Sequence, residues 1–227
     1  MISMKEDKYV PEVTSVLKSR SISVPKSIYK ASGINVLGKR IKSLIFTSDV
    51  AIIKNNNAQS VLAVYPFTPQ LSIIHAILEV APVPVFVGVG GGMTTGYRAV
   101  QIALQSELMG AFGVVVNAPT AVDVIAKMKD TIDIPIISTI ASEHDDYRAK
   151  IEAGVSILNI SGGKDTVSLV TKIRKELGRE FPIIATGGPT EESILATIDA
   201  GANAITYTPP SSAEIFAQVM IKYRQGD

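Results

Sequence analysis

The sequence predicts an α/β protein: a (β/α)8 TIM barrel over 43–227, capped by an N-terminal helical extension over 1–42. Three observations lead there. From about residue 43 onward, short β-branched runs alternate with amphipathic stretches, the pattern of βα units around a parallel sheet. The runs number eight, the count at which parallel strands close into a barrel. Two unit types also alternate along the chain. VAPVPVFVGVG, TIDIPIISTI and REFPIIATGG share a proline entering an apolar strand, whereas LMGAFGVVVN, EAGVSILNI and DAGANAITY share a glycine-capped helix that feeds the next strand. An open doubly wound sheet is the alternative closure of the same units.

In chain order, Val10, Val13, Val16 and Leu17 stand at helical spacing and are followed by VPKSIYKASGINVLGKR, so one or two helices are expected to plug the N-terminal mouth of the barrel by packing. The strands are then SLIFTS, SVLAVYP, VPVFVGVG, AFGVVVNA, IPIISTI, VSILNIS, FPIIATGG and NAITYTP. Between them TTGYRAVQIALQSELMG, TAVDVIAKMKD, DYRAKIEAG, DTVSLVTKIRKELG and TEESILATIDAG read as helices, several ending on glycine; DVAIIKNNNAQ is short and carries only a weak helical pattern.

Composition narrows the function classes. A net charge of +1 offers no basic footprint for nucleic acid and no polybasic membrane patch. With no cysteine, disulfides, thiolate catalysis, Cys-ligated zinc and iron–sulfur clusters drop out, and only His75 and His144 could supply imidazole. MISMKEDKYVPE is charged where a signal peptide would be apolar, and proline and glycine interrupt the apolar runs before spanning length. The expectation is a cytoplasmic protein without nucleic-acid or membrane partners.

In such a barrel the βα loops converge at the C-terminal strand ends, and chemistry belongs there. Period-two alternation in VSILNIS puts Asn159 and Ser161 on the face opposite Leu158 and Ile160, hence toward the mouth; the same logic sends Thr47 with Asp49, Asn117, Thr139, Thr186 and Thr206 with Thr208 inward. The result is a ring of small polar groups in which Asn117, Thr139 and Thr186 would line a substrate pocket. Such groups can equally satisfy one another. In IIATGGPTEE, Gly187 and Gly188 could open the backbone to an anion at a helix start, or could form a tight turn before Pro189; Glu191 and Glu192 would repel an anion if they pointed inward. Ser211 and Glu214 spell a capping box, and free N–H groups near Ser211 and Ser212 would complete a phosphate cradle. NISGGKDT adds Gly162 and Gly163 with Lys164 as a cation at the barrel mouth or an ordinary solvated lysine. GVGGGMTTGYR lacks the third glycine of a dinucleotide fingerprint, leaving a backbone close to substrate, a lid or a tight turn.

Proton-transfer candidates are few: Asp49, and Glu143, His144, Asp145 and Asp146 of SEHDD, each also a natural loop or helix-start residue. Asp49, Glu143 and Asn159 could ligate Mg2+, whose preference is for oxygen, although no spacing demands a metal. His75 falls within an amphipathic helix.

ATGGPTEESILATIDAGANAITYTPPS resembles the phosphate-binding segment of the ribulose-phosphate-binding barrel superfamily, which includes epimerases, aldolase-like lyases and thiamin- and tryptophan-pathway enzymes. FMN-dependent barrels use a similar segment. The resemblance implies that Gly187, Gly188 and the loop from Thr208 to Ser212 hold phosphate; it transfers no catalytic residue. FTSDVAIIKN, AVYPFTPQ, GVGGG and VVVNAPT are similar to an uncharacterised barrel family loosely labelled "hydrolase". The leading expectation is an enzyme acting on a small phosphorylated metabolite, of isomerase or lyase type, with Asp49, Glu143, Asn159 and Lys164 as catalytic candidates. The alternatives are a hydrolase using activated water, an FMN-binding barrel and a non-catalytic phosphometabolite sensor. No cofactor is required; Mg2+ or FMN could be accommodated, and a homo-oligomer is compatible with the chain.

Overall fold

The computed structural model describes Tyr9, residues 11–13, Ser15, Val16, Lys18 and residues 21–225. Among these residues a short hairpin of β1 (Ile34–Val36) and β2 (Lys39–Ile41) precedes eight parallel strands: β3 (Ser43–Phe46), β4 (Ser60–Ala63), β5 (Val85–Gly90), β6 (Gly113–Val116), β7 (Ile136–Ile140), β8 (Ile157–Ile160), β9 (Ile183–Thr186) and β10 (Ala204–Tyr207). Each of the eight pairs with the next, and β10 pairs with β3 to close the barrel. The helices that follow them are α1 (Val50–Lys54), α2 (Leu71–Val80), α3 (Gly96–Leu108), α4 (Val122–Lys129), α5 (Tyr147–Glu152), α6 (Thr166–Leu177), α7 (Glu191–Asp199) and α8 (Ser212–Gln225). The fold is therefore the (β/α)8 barrel, and the open sheet is excluded by the β10–β3 pairing.

The strands read as continuous apolar runs because both their faces are buried. One residue from each strand fills the barrel interior: Leu44, Leu62, Phe86, Val115, Ile137, Ile157, Ile184 and Ala204. Their neighbours, among them Ile45, Val61, Val87, Val114, Ile136, Leu158, Ile183 and Ile205, pack outward under the helices in a second cluster. Phe86 meets Phe112 edge-on, with centroids 5.9 Å apart, on the interior side.

The plug differs from expectation. Val10 and Leu17 lie outside the described residues, and Val13 and Val16 are exposed. What closes the interior layer is the β1–β2 hairpin, whose Ile34, Val36 and Ile41 join the interior cluster. INVLGKRI alternates with period two, buried at Ile34 and Val36 and exposed at Asn35, and turns at Leu37 and Gly38, both with positive φ (43° and 81°). That is the backbone of a two-residue hairpin turn, which no helix contains. Upstream, Val24 and Ile28 are buried in the outer layer, where a short 3-10 turn (Lys26–Lys30) packs on α7. Ile22 bridges to Asn56 just beyond α1, and Val24 N–H donates to Asn57 Oδ1 (2.8 Å). Residues 22–30 therefore run as a strap from the end of α1 to α7, where a closing eighth helix would lie. α8 has no buried residue and leaves Phe216, Val219, Ile221 and Tyr223 exposed.

Arg174 near the end of α6 ties down the N-terminal face. Its guanidinium donates to the carbonyls of Gly178, Phe181 and Gly201 and to Asn203 Oδ1. Asn203 in turn donates through Nδ2 to Ser32 Oγ (2.9 Å), joining the strap to the last barrel strand.

Candidate active site at the C-terminal mouth

Continuing the interior alternation by one step brings each strand to the mouth. Phe46, Val64 and Gly88 end the interior rows of β3, β4 and β5, whereas Asn117, Thr139, Asn159, Thr186 and Thr206 end those of β6 to β10. One wall is apolar and the other polar without formal charge. Asn159 donates to Thr139 Oγ1 (3.3 Å), and Thr186 Oγ1 donates to Ser161 Oγ (3.2 Å), so the expected ring forms across β7, β8 and β9. Two of its atoms, Asn159 Oδ1 and Thr206 Oγ1, are buried with no hydrogen-bond partner among the described residues. An unpaired buried polar atom costs about 1–3 kcal/mol. Such atoms facing a barrel mouth are natural ligand contacts.

Asp49 is not in this ring. Phe46 takes the interior position at the end of β3, and Thr47 and Asp49 stand beyond the strand, where alternation no longer applies. Asp49 caps α1, accepting from the N–H groups of Ala51 (2.9 Å) and Ile52 (3.3 Å). The Ser212 hydroxyl is the main influence that holds its carboxyl below the usual range; the N–H groups of Ile52, Ala51 and Ser212 act with it, against burial. Glu143 is also elsewhere. It is exposed and paired with Lys172 (3.2 Å) in a cleft between the loop after β7 and α6. In the same loop Asp145 accepts from the N–H groups of Ala141 and Ser142, Asp146 caps α5 through Ala149, and His144 is exposed. The three oxygen ligands suggested for Mg2+ are thus spread over separate structural tasks, and among the described residues no three His, Cys, Asp or Glu side chains cluster to hold an ion.

The phosphate candidates divide. Gly187 N–H donates to Thr206 O (3.3 Å), and a Cβ there would lie 2.6 Å from Ile205 Cγ2 and 2.9 Å from Ile194 Cγ1. Its lack of a side chain lets α7 sit on the barrel. The predicted capping box forms, and in doing so Glu214 takes up Ser211: its carboxylate accepts from both the N–H and the hydroxyl of Ser211 (each 2.7 Å). Ser212 is held by Asp49. At the start of α7 the Glu192 N–H, and after it the Thr190 hydroxyl, hold the Glu192 carboxyl below the usual range. The chain's own carboxylates thus cover the helix starts after β9 and β10, and Thr208 is merely exposed.

Uncommitted donors remain in the loops after β8 and β9. The N–H groups of Gly163, Lys164 and Gly188 bond to no other described residue, and Lys164 extends an exposed amine. Gly163 and Gly188 have φ of 60° and 76°, the left-handed region in which glycine is unstrained. Gly162, by contrast, is structural: its N–H donates to Thr166 Oγ1 (3.1 Å), and a side chain there would strike Leu169.

Two features were missed in the sequence. Lys150 of α5 is buried; its amine donates to Ala118 O (2.6 Å) and lies 3.9 Å from Asp145, fastening the loops after β6 and β7 together. Burial pushes its pKa down, against Asp145 and Asp146. Its position three residues after Tyr147, on the inward stripe of α5, was the available signal. The second is a cavity of about 460 Å3 between the loops after β4 and β5, reaching Asn117 at the end of β6 and walled by Tyr65, Phe67, Thr68 and Met93. The glycines of GVGGG serve the turn beside it. A Cβ on Gly90 would lie 2.6 Å from Thr94 O, and one on Gly91 2.5 Å from Asn117 Cβ.

The molecule is thus a (β/α)8 barrel with a two-sided mouth. No family model and no curated protein sequence matches the chain. Solved barrels do. Phosphonopyruvate hydrolase, in complex with oxalate and Mg2+, superposes with a TM-score of 0.62 at 13% identity, over 82% of each chain. Phosphoenolpyruvate phosphomutase from Streptomyces platensis subsp. rosaceus gives 0.60 at 11%, over 88% of this chain and 83% of that one. Thiamine phosphate pyrophosphorylase from Pyrococcus furiosus gives 0.55 at 16%, over 73% and 84%. At these identities the likeness is one of fold. Among the described residues no helix is long and apolar enough to cross a membrane.

Proposed function

We propose that the chain is an enzyme acting on a small phosphorylated metabolite at the C-terminal mouth, by isomerase- or lyase-type chemistry. The observation that carries this reading is the pair of buried, unpartnered acceptors, Asn159 Oδ1 and Thr206 Oγ1, in a ring with the hydroxyls of Thr139, Ser161 and Thr186. The anion is assigned to the N–H groups of Gly163, Lys164 and Gly188 with the Lys164 amine, because those donors are uncommitted whereas Gly187, Ser211 and Ser212 are engaged. The superposed barrels whose names include phosphonopyruvate, phosphoenolpyruvate and thiamine phosphate agree with a phosphorylated or phosphonate substrate.

The ring holds no paired carboxylates and no serine–histidine pair, so its own side chains polarise rather than attack. Asn159 Oδ1 would accept from a hydroxyl of the substrate, the Thr206 hydroxyl would donate to a substrate oxygen as its charge redistributes, and Lys164 would neutralise the anion and could relay a proton. Asp49 and Glu143 take no part in this scheme, and with them goes the Mg2+ set they would have formed.

Mass spectrometry of small molecules that co-purify with the native protein tests the reading, with Gly188→Asp and Asn159→Leu as controls. A phosphorylated metabolite present in the native protein and lost in both folded variants is expected. Retention of the same ligand by both would overturn the assignment. A ligand that is bound and never turned over would identify a sensor, and a yellow eluate an FMN barrel.

A further inference from the structure

We propose that the cavity between the loops after β4 and β5 is a second subsite, which takes an uncharged planar end of the substrate, either an aromatic ring or an amide-like heterocycle. The proposal rests on the anion assignment above only for the other end of the molecule. In the strand order of the closed barrel, β5 stands opposite β9 and β6 opposite β10. The cavity and the uncommitted N–H donors therefore face each other across the mouth, and one ligand of modest length would engage both.

The chemistry of the lining decides the class. The cavity holds about 460 Å3, within the range of small-molecule pockets, and no Asp, Glu, Lys, Arg or His lines it. No side chain there offers a counter-ion to a charged group, which favours a neutral guest. Polar groups in its walls are largely paired with one another: Thr94 Oγ1 donates to Thr68 Oγ1 (3.1 Å), and the Tyr65 hydroxyl accepts from Gln70 N–H (3.0 Å). Asn117 remains. Its backbone N–H is fixed on Gly90 O (3.0 Å), while its side-chain amide bonds to no other described residue and can offer both a donor and an acceptor to one edge of a planar group.

Two large apolar side chains flank the opening with most of their surface in solvent, Phe67 at 74% and Met93 at 90% exposure. They come from the loops on either side of the cavity, and a flat guest between them would cover an aromatic face and a thioether. Their exposure serves no packing purpose within the described chain.

The test uses protein labelled with 13C at the methionine methyls and six probes: inorganic phosphate, methyl phosphate, phenyl phosphate, benzyl alcohol, and a benzamide and a phenyl ketone analogue. Phenyl phosphate is expected to bind about tenfold or more tightly than methyl phosphate, to shift the Met93 methyl resonance, and to lose that advantage in Phe67→Ala/Met93→Ala, which retains the affinity for inorganic phosphate. Asn117→Leu is expected to keep the phenyl advantage but to lose discrimination between benzamide and phenyl ketone analogues. Equal affinity for methyl and phenyl phosphate with an unmoved Met93 signal overturns the subsite while the anion site stands. Benzyl alcohol shifting Met93 in a protein that binds none of the phosphates leaves the subsite standing and overturns the anion assignment. No response to any probe overturns both.

Discussion

Asp49 carries two readings, a general base by position and a helix-start acid by chemistry, and its hydrogen bonds are those of a helix cap. Following a strand at the barrel mouth, it has the placement of a general base, yet its Oδ1 accepts from the N–H groups of Ala51 and Ile52, and the Ser212 hydroxyl is the main influence that lowers its pKa. Its depressed pKa ties it to stability. In the folded state it holds its charge to lower pH than in the unfolded chain, so its contribution is present above about pH 4 and is lost as pH falls through the folded value. Asp49→Asn should therefore flatten the acid side of the stability–pH profile, while Asp49→Ala should cost about 0.5–2 kcal/mol, the usual value of an N-cap. Urea melts between pH 3 and pH 7 measure both. An undiminished acid slope in Asp49→Asn would show that the carboxylate is not held as described. Gly187 makes the complementary point: its missing side chain answers to Ile194 and Ile205, not to a ligand.

At the scale of elements, the barrel strands were legible because burial on both faces leaves a continuous apolar run that no other environment selects. The β1–β2 hairpin was misread because four valine and leucine positions upstream suggested a helix, and the two-residue turn at Leu37–Gly38 carries a leucine where asparagine or glycine would have announced it. The site was legible in part. Alternation placed Asn117, Thr139, Asn159 and Thr186 correctly, since it depends only on strand phase. It failed at Thr47 and Asp49, where the strand has already ended. The capping box of Ser211 and Glu214 was legible, but not that it would occupy an N–H group a phosphate would use, nor that Ser212 would lie against Asp49, because that contact joins loops distant in the chain. The Arg174 anchor at the opposite face is testable as an element-level device. It makes its bonds through a forked guanidinium, so Arg174→Lys should fail to restore what Arg174→Ala loses, with both lowering stability by about 2–4 kcal/mol. Full rescue by lysine in a denaturant titration would contradict the forked geometry.

Across the whole molecule, the strap over 22–30 and the helix α8 have exchanged the roles expected of a chain's two ends. Ile28 is fully buried, whereas α8 has no buried residue. A chain ended after Ala213 should therefore keep its stability to within about 1 kcal/mol, while Ile28→Ala should cost about 2–5 kcal/mol. Chemical denaturation of the two variants decides between this assignment and one in which α8 seals the barrel.

The strap also sets an order of events during synthesis. Ser32 meets Asn203 across 171 residues of chain, and Ile28 has no complete pocket until α7 exists. At ribosomal speeds of about 5–20 residues per second, the first part of the barrel layer to be made must wait on the order of ten to thirty seconds for the last. During that interval its apolar side chains are open to chaperones and to neighbouring nascent chains, and barrel closure becomes the step that ends the exposure.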